Sequence, residues 1–154
     1  MKVRTIALTL AVCLAGLAVC YASDPNMGTW KLNEAKSKFP AGATKNTTVV
    51  YSSAGGMVKV TTDGTNGDGK PVQSEWTGKF DGKDYPVTGG SSGVTRSYTK
   101  VDGHTLKLTN KKDGKVTSSG SAVVSADGKS RTVALSWTSD DGKSMSSTAV
   151  YDKQ

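Results

Sequence analysis

Ser130-Arg131-Thr132-Val133-Ala134-Leu135-Ser136-Trp137-Thr138 decides the fold. Val133, Leu135 and Trp137 alternate with Thr132, Ser136 and Thr138. A period of two marks a strand with one buried face. The run lies between Asp127-Gly128-Lys129 and Asp141-Gly142-Lys143, and runs at 116–125 and 144–151 lie beyond these turns. Asp-Gly favours tight hairpins because both central residues of a type I′ turn need positive φ. Strand, short turn and strand, repeated, make a meander.

The same grammar extends toward the N-terminus. Strands are predicted at 46–52, 57–62, 72–80, 94–101 and 104–111, with Gly28-Thr29-Trp30-Lys31-Leu32 opening the series. Along 72–80, Val72, Ser74, Trp76, Gly78 and Phe80 share one face. A brief run, 85–87, contains Pro86, which implies an edge or a broken strand. Residues 34–39 suit one helical or 3₁₀ turn, stopped by Pro40 and Gly42. Nine or ten short strands without a long helix predict an all-β domain. Adjacent hairpins favour an up-and-down antiparallel barrel of about 8–10 strands, because closure removes exposed edges. A two-sheet sandwich is the alternative.

The 154 residues suffice for one domain. Lys2 and Arg4 precede an apolar run at 6–19, followed by small residues at Cys20 and Ala22. This pattern predicts a signal peptide at 1–22 and a domain at 23–154, secreted or periplasmic. The run is too short and wrongly flanked for a membrane span. Leu17-Ala18-Val19-Cys20 offers an alternative, a lipid anchor at Cys20. Both cysteines, Cys13 and Cys20, fall in this segment, so the expected domain holds no disulfide or thiolate metal site. Losing Lys2 and Arg4 lowers the net charge from +7 to +5. The lysines are scattered, with Lys111-Lys112 the only adjacent pair. Nucleic-acid binding wants clustered basic residues among aromatics, so a solvated surface and a monomer are expected.

The inventory argues against catalysis. His104 is the only histidine, which leaves no partner for a metallohydrolase site. Seven of 13 acids directly precede glycine (Asp63, Asp68, Asp81, Asp102, Asp113, Asp127 and Asp141), and turn geometry accounts for them. The loop holding Asp63, Asn66 and Asp68 misses the EF-hand pattern, with Gly67 at a ligand position and no Glu at the twelfth. No catalytic residue, metal or cofactor is expected.

Gly28-Thr29-Trp30 resembles the Gly-x-Trp signature of lipocalins, and Gly28-Thr29-Trp30-Lys31-Leu32 looks like the opening of intracellular fatty-acid-binding proteins. Thr148-Ala149-Val150-Tyr151-Asp152-Lys153 is similar to the close of that second family, usually Thr-Arg-x-Tyr-Glu-Lys. Tyr85-Pro86-Val87-Thr88-Gly89 lends a similarity to secreted bacterial lipocalin-like proteins. This resemblance to the calycin superfamily implies a ligand-holding barrel with Trp30 capping one end. Of the fatty-acid family's carboxylate-binding pair, Tyr151 carries over, whereas Ala149 stands at the arginine position. Only 34–44 is available where that family places two helices, so no helical lid is expected.

Trp30, Val60, Trp76, Tyr98, Leu108, Leu135 and Trp137 fall on the inward parities, interspersed with the small residues Ser74, Gly78, Ser118, Gly120, Ala122, Ser147 and Ala149. Small residues in a closed barrel leave space, which predicts a cavity for one small ligand. The expected function is non-enzymatic binding of a small hydrophobic or acidic amphipathic molecule by Arg96, Tyr98, Tyr151, Trp76 and Trp137. The rival is a structural or envelope-associated β-domain without a pocket, and a barrel enzyme ranks third. The chain has 17 lysines but three arginines, and Arg96 and Arg131 both fall on apolar parities. A guanidinium fork matches a carboxylate in two hydrogen bonds. One of the two, Arg96 before Arg131, is therefore a candidate to point inside beside Tyr98 and Tyr151 and hold an acidic head group. The alternative places both at strand ends with stems packed on aromatics and heads in water, the more so for Arg131, which directly follows a turn.

Overall fold

Ten strands form where the period-two runs predict them, in a computed structural model that describes residues 24–154. The signal peptide expected at 1–22 and the lipid site at Cys20 lie outside the described residues. The strands are β1 (Gly28–Leu32), β2 (Lys45–Ala54), β3 (Met57–Thr65), β4 (Pro71–Gly78) and β5 (Tyr85–Thr88). They continue as β6 (Val94–Lys100), β7 (Thr105–Lys112), β8 (Lys115–Val124), β9 (Ser130–Thr138) and β10 (Ser144–Lys153). Each pairs antiparallel with its sequence neighbours, and β10 returns to β1 through Trp30↔Lys153, Lys31↔Asp152 and Leu32↔Tyr151. The result is a closed up-and-down barrel of ten strands. The sandwich alternative falls. A 3₁₀ turn, Glu34–Lys36, follows β1, and the Asn33 side chain caps it by accepting from the Lys36 N–H.

Two of the hairpin turns differ from expectation. Among the described non-glycine residues only Asp113 has positive φ, 49°, so with Gly114 at 80° Asp113-Gly114 is the Asp-Gly pair with both residues left-handed, as type I′ requires. At Asp127-Gly128 and Asp141-Gly142 only the glycines are left-handed, at 70° and 81°. Gly128 N–H donates to Ser125 O and Gly142 N–H to Ser139 O, each at 2.9 Å, which is type I geometry ending in a left-handed glycine. The cause is side-chain hydrogen bonding. The Ser125 and Ser139 hydroxyls donate to the Asp127 and Asp141 carboxylates, and Asp127 also accepts from the Lys129 N–H. These bonds fit the right-handed conformation at both aspartates.

The interior is aromatic at one end. Trp30 is fully buried, and its Nε1 donates to the backbone oxygen of Asn26 at 2.9 Å. Residues 24–27 thus lie across this end of the barrel. Asp24 accepts from the Asn26 N–H and the Lys100 ammonium, while the Lys153 Nζ donates to Pro25 O and sits 5.0 Å from the Trp30 ring centre. Trp30 caps the interior as the resemblance implies. Nearby, Trp76 packs edge-on against Tyr98 and Tyr85, with centroids 4.9 and 5.7 Å away.

Two small residues serve this close packing rather than open space, contrary to expectation. A Cβ on Gly78 would stand 2.5 Å from the Trp76 ring and 2.6 Å from Tyr85. One on Gly120 would meet the Ala134 carbonyl oxygen at 1.9 Å. The wall is thinnest at β5, which pairs only through Glu75↔Thr88 and Trp76↔Val87 on one side and Tyr85↔Arg96 and Pro86↔Thr95 on the other.

Truncating Trp30 removes the plug and strands the Asn26 carbonyl. Large-to-small aromatic changes in a core cost about 3–5 kcal/mol, against a total stability of about 5–15 kcal/mol for a small domain. Trp30→Ala should leave little folded protein at room temperature in a circular-dichroism melt. A variant melting within a few degrees of wild type would refute the plug.

Candidate functional site in the barrel interior

Midway along the barrel, inward side chains from six strands line a chamber of about 50 Å³. Asn46 and Tyr51 come from β2, Thr62 from β3, Arg96 and Tyr98 from β6, Asn110 from β7, Arg131 from β9 and Tyr151 from β10. Val49, Leu108, Val133 and Leu135 fill the wall between them. Strand parity brings them together, because Arg96 pairs with Asn110 and Arg131 with Tyr151 across neighbouring strands.

Arg131 is only 3% exposed. Its Nη2 donates to the Tyr51 hydroxyl, and that hydroxyl donates to Tyr98 at 3.2 Å. The guanidinium also lies over the Tyr51 ring, 4.4 Å from its centre, and 5.9 Å from Trp30. The alternative that puts both guanidiniums in water therefore fails at Arg131, where it is the stronger reading from sequence. β9 begins at Ser130, so Arg131 already belongs to the ladder and takes its inward parity, and aromatic faces accept its planar head. Arg96 points inward as well. Its Nε donates to Asn110 Oδ1 at 2.6 Å, Asn110 Nδ2 donates to Ser118 Oγ at 2.8 Å, and the Tyr98 ring centre is 5.9 Å away. Among the described residues, neither guanidinium forms an ion pair.

Toward the end opposite Trp30 the interior widens into a mouth of about 500 Å³. Its rim is the 41–44 loop and Ser139, and its wall carries Leu135, Trp137, Met145, Ser118 and Ser147. Leu135 borders both mouth and chamber. Of the residues singled out from sequence, Arg96, Tyr98 and Tyr151 meet in the chamber and Trp137 stands in the mouth. Trp76 borders neither space. Its indole Nε1 donates to the Arg96 backbone oxygen at 2.9 Å, so it supports the strand that carries Arg96. Tyr51, Asn110 and Met145 escaped the sequence reading. Carrying the parity of Val49 on to Tyr51, and that of Leu106 and Leu108 on to Asn110, finds the first two.

Burial and charge shift the chamber phenols in different directions. Burial pushes Tyr151 up to about 12, with Arg131 opposing and Tyr98 adding. Burial likewise raises Tyr51, again against the pull of Arg131. At Tyr98 burial acts upward too, but Arg96, Arg131 and the hydrogen bond from Tyr51 outweigh it and hold the phenol below its ordinary value. A phenol raised from 10.0 to about 12 on folding lends stability that is complete below pH 10 and lost as pH climbs through 12. Stability should fall across that window, and the slope should be shallower in Tyr151→Phe. Denaturant midpoints measured from pH 9 to 12 test this, and parallel curves for the two proteins would refute it.

The fold assignment rests on the strand pairing. No family model matches the chain, and no curated protein matches it. Among solved structures, the chain is similar to EF1p2_mFAP2b bound to DFHBI, at 13% identity and a TM-score of 0.47, covering 86% of this chain and 97% of that one. It is also similar to the redesigned β-barrel mFAP1 bound to DFHBI, at 15% identity and a TM-score of 0.38, covering 84% and 95%.

Proposed function

We propose that this barrel is a non-enzymatic binding protein that holds a small hydrophobic or amphipathic molecule in its mouth. The observation that carries the reading is the mouth itself, about 500 Å³ of space against Leu135, Trp137 and Met145 at the end left open by the Trp30 plug. That volume falls in the range of about 300–1,000 Å³ typical of small-molecule pockets. A ligand covering these three side chains removes apolar surface from water, which stabilises binding by about 25 cal/mol per Å². The serines beside them offer hydroxyls for a polar group on the ligand. The leading residues suggest a secreted or periplasmic site of action, and the dispersed charge suits a monomer.

A solvatochromic hydrophobic dye should bind the purified protein and be displaced by single-chain amphiphiles. Trp137 lies outside the buried core, so Trp137→Ala should keep its fold. It should weaken dye binding about ten-fold, a loss of about 1.4 kcal/mol. Absence of dye binding, or binding unaffected by both Trp137→Ala and Leu135→Glu, would overturn the reading.

A further inference from the structure

We propose that the inner chamber binds a small monovalent anion, of the size of a halide, a nitrate or a carboxylate group. The inference does not rest on the mouth holding a ligand. Arg96 and Arg131 both face the chamber, and no carboxylate pairs with either among the described residues. Arginine does not escape burial by losing its proton. The titratable groups facing the chamber are these two cations and the phenols Tyr51, Tyr98 and Tyr151, from β2, β6, β9 and β10. With the phenols protonated the chamber carries two positive charges and no negative one.

The hydrogen bonds point the same way. Arg131 Nε is buried and has no partner. Two of the acceptors at hand are already engaged, Asn110 Oδ1 by Arg96 and the Tyr51 hydroxyl by Arg131. With Tyr51 donating to Tyr98, the Tyr98 proton is also left free to donate. A water could satisfy Nε but not the charge, and a buried cation without a counter-charge is strongly unfavourable. Aromatic faces offset part of that penalty. The chamber, at about 50 Å³, exceeds the roughly 10–15 Å³ that a cavity needs to hold one water. It therefore has room for an anion of a few atoms. The anion is either a free ion or the head of a molecule whose body lies in the mouth, since Leu135 borders both spaces.

Thermal melts at constant ionic strength, with sulfate replaced by chloride, nitrate or acetate, test the site. At roughly ten times the dissociation constant the melting temperature should rise by about 3–6 °C. Arg131→Met should abolish the rise. Arg96→Met should do the same, and because Arg96 is partly exposed this second variant serves if the first fails to fold. Octanoate binding at least ten-fold tighter than acetate, with the surplus lost in Trp137→Ala, identifies a ligand head group. Equal binding identifies a free ion. Two results would overturn the proposal. One is an equal salt response in wild type and both variants. The other is tyrosinate absorbance at neutral pH that disappears in Tyr98→Phe, because Tyr98 would then be the counter-ion. Failure of the dye to enter the mouth leaves this measurement unaffected.

Discussion

Everything in this barrel follows from the pairing of its first strand with its last. Trp30↔Lys153 and Leu32↔Tyr151 are register pairs of that junction. An open ten-strand meander would expose two edges to solvent and to other chains. Closing it creates the interior, and the two strands that close it also furnish its ends. Trp30 on β1 seals one end, and Tyr151 on β10 reaches the chamber. Slippage by one residue would turn both side chains outward, because the faces of a strand alternate.

The interior is graded along the barrel axis. Rings of Trp30, Trp76, Phe80 and Tyr98 fill the sealed end, arginine and amide groups occupy the middle, and small or flexible side chains border the mouth. The aromatic layer does more than exclude water. Its ring faces take up the guanidinium of Arg131, so that a cation persists far from solvent. Apolar packing thereby supports a charged layer that it would otherwise disfavour.

Most of the fold was legible because it is written in local signals. Alternation along β9, Asp-Gly turns and the absence of a long helix suffice for ten antiparallel strands, and the parity of β6 places Arg96 inside. The failures share one cause, which is that distant partners decide them. Arg131 reads as a turn-flanking residue until Tyr51, 80 positions away, is found against it. Gly78 and Gly120 read as gaps, but a missing Cβ signals either a void or a close neighbour, and sequence does not tell which. Trp76 reads as a ligand contact because parity gives only the side a residue faces, not its depth. At the two type I turns, a serine two residues before the aspartate was a usable local sign.

The brevity of β5 has a dynamic consequence. Pro86 has no N–H to give, and Gln73 and Ser74 pair with β3 but with no strand on their other side. Local opening takes least free energy where backbone ladders are shortest, so the wall breathes first along this seam. Thr62, bonded to Ser74 at 2.7 Å, lies on the chamber side of that same seam. Opening of this seam would therefore give water and small solutes a lateral way to the chamber that bypasses the mouth.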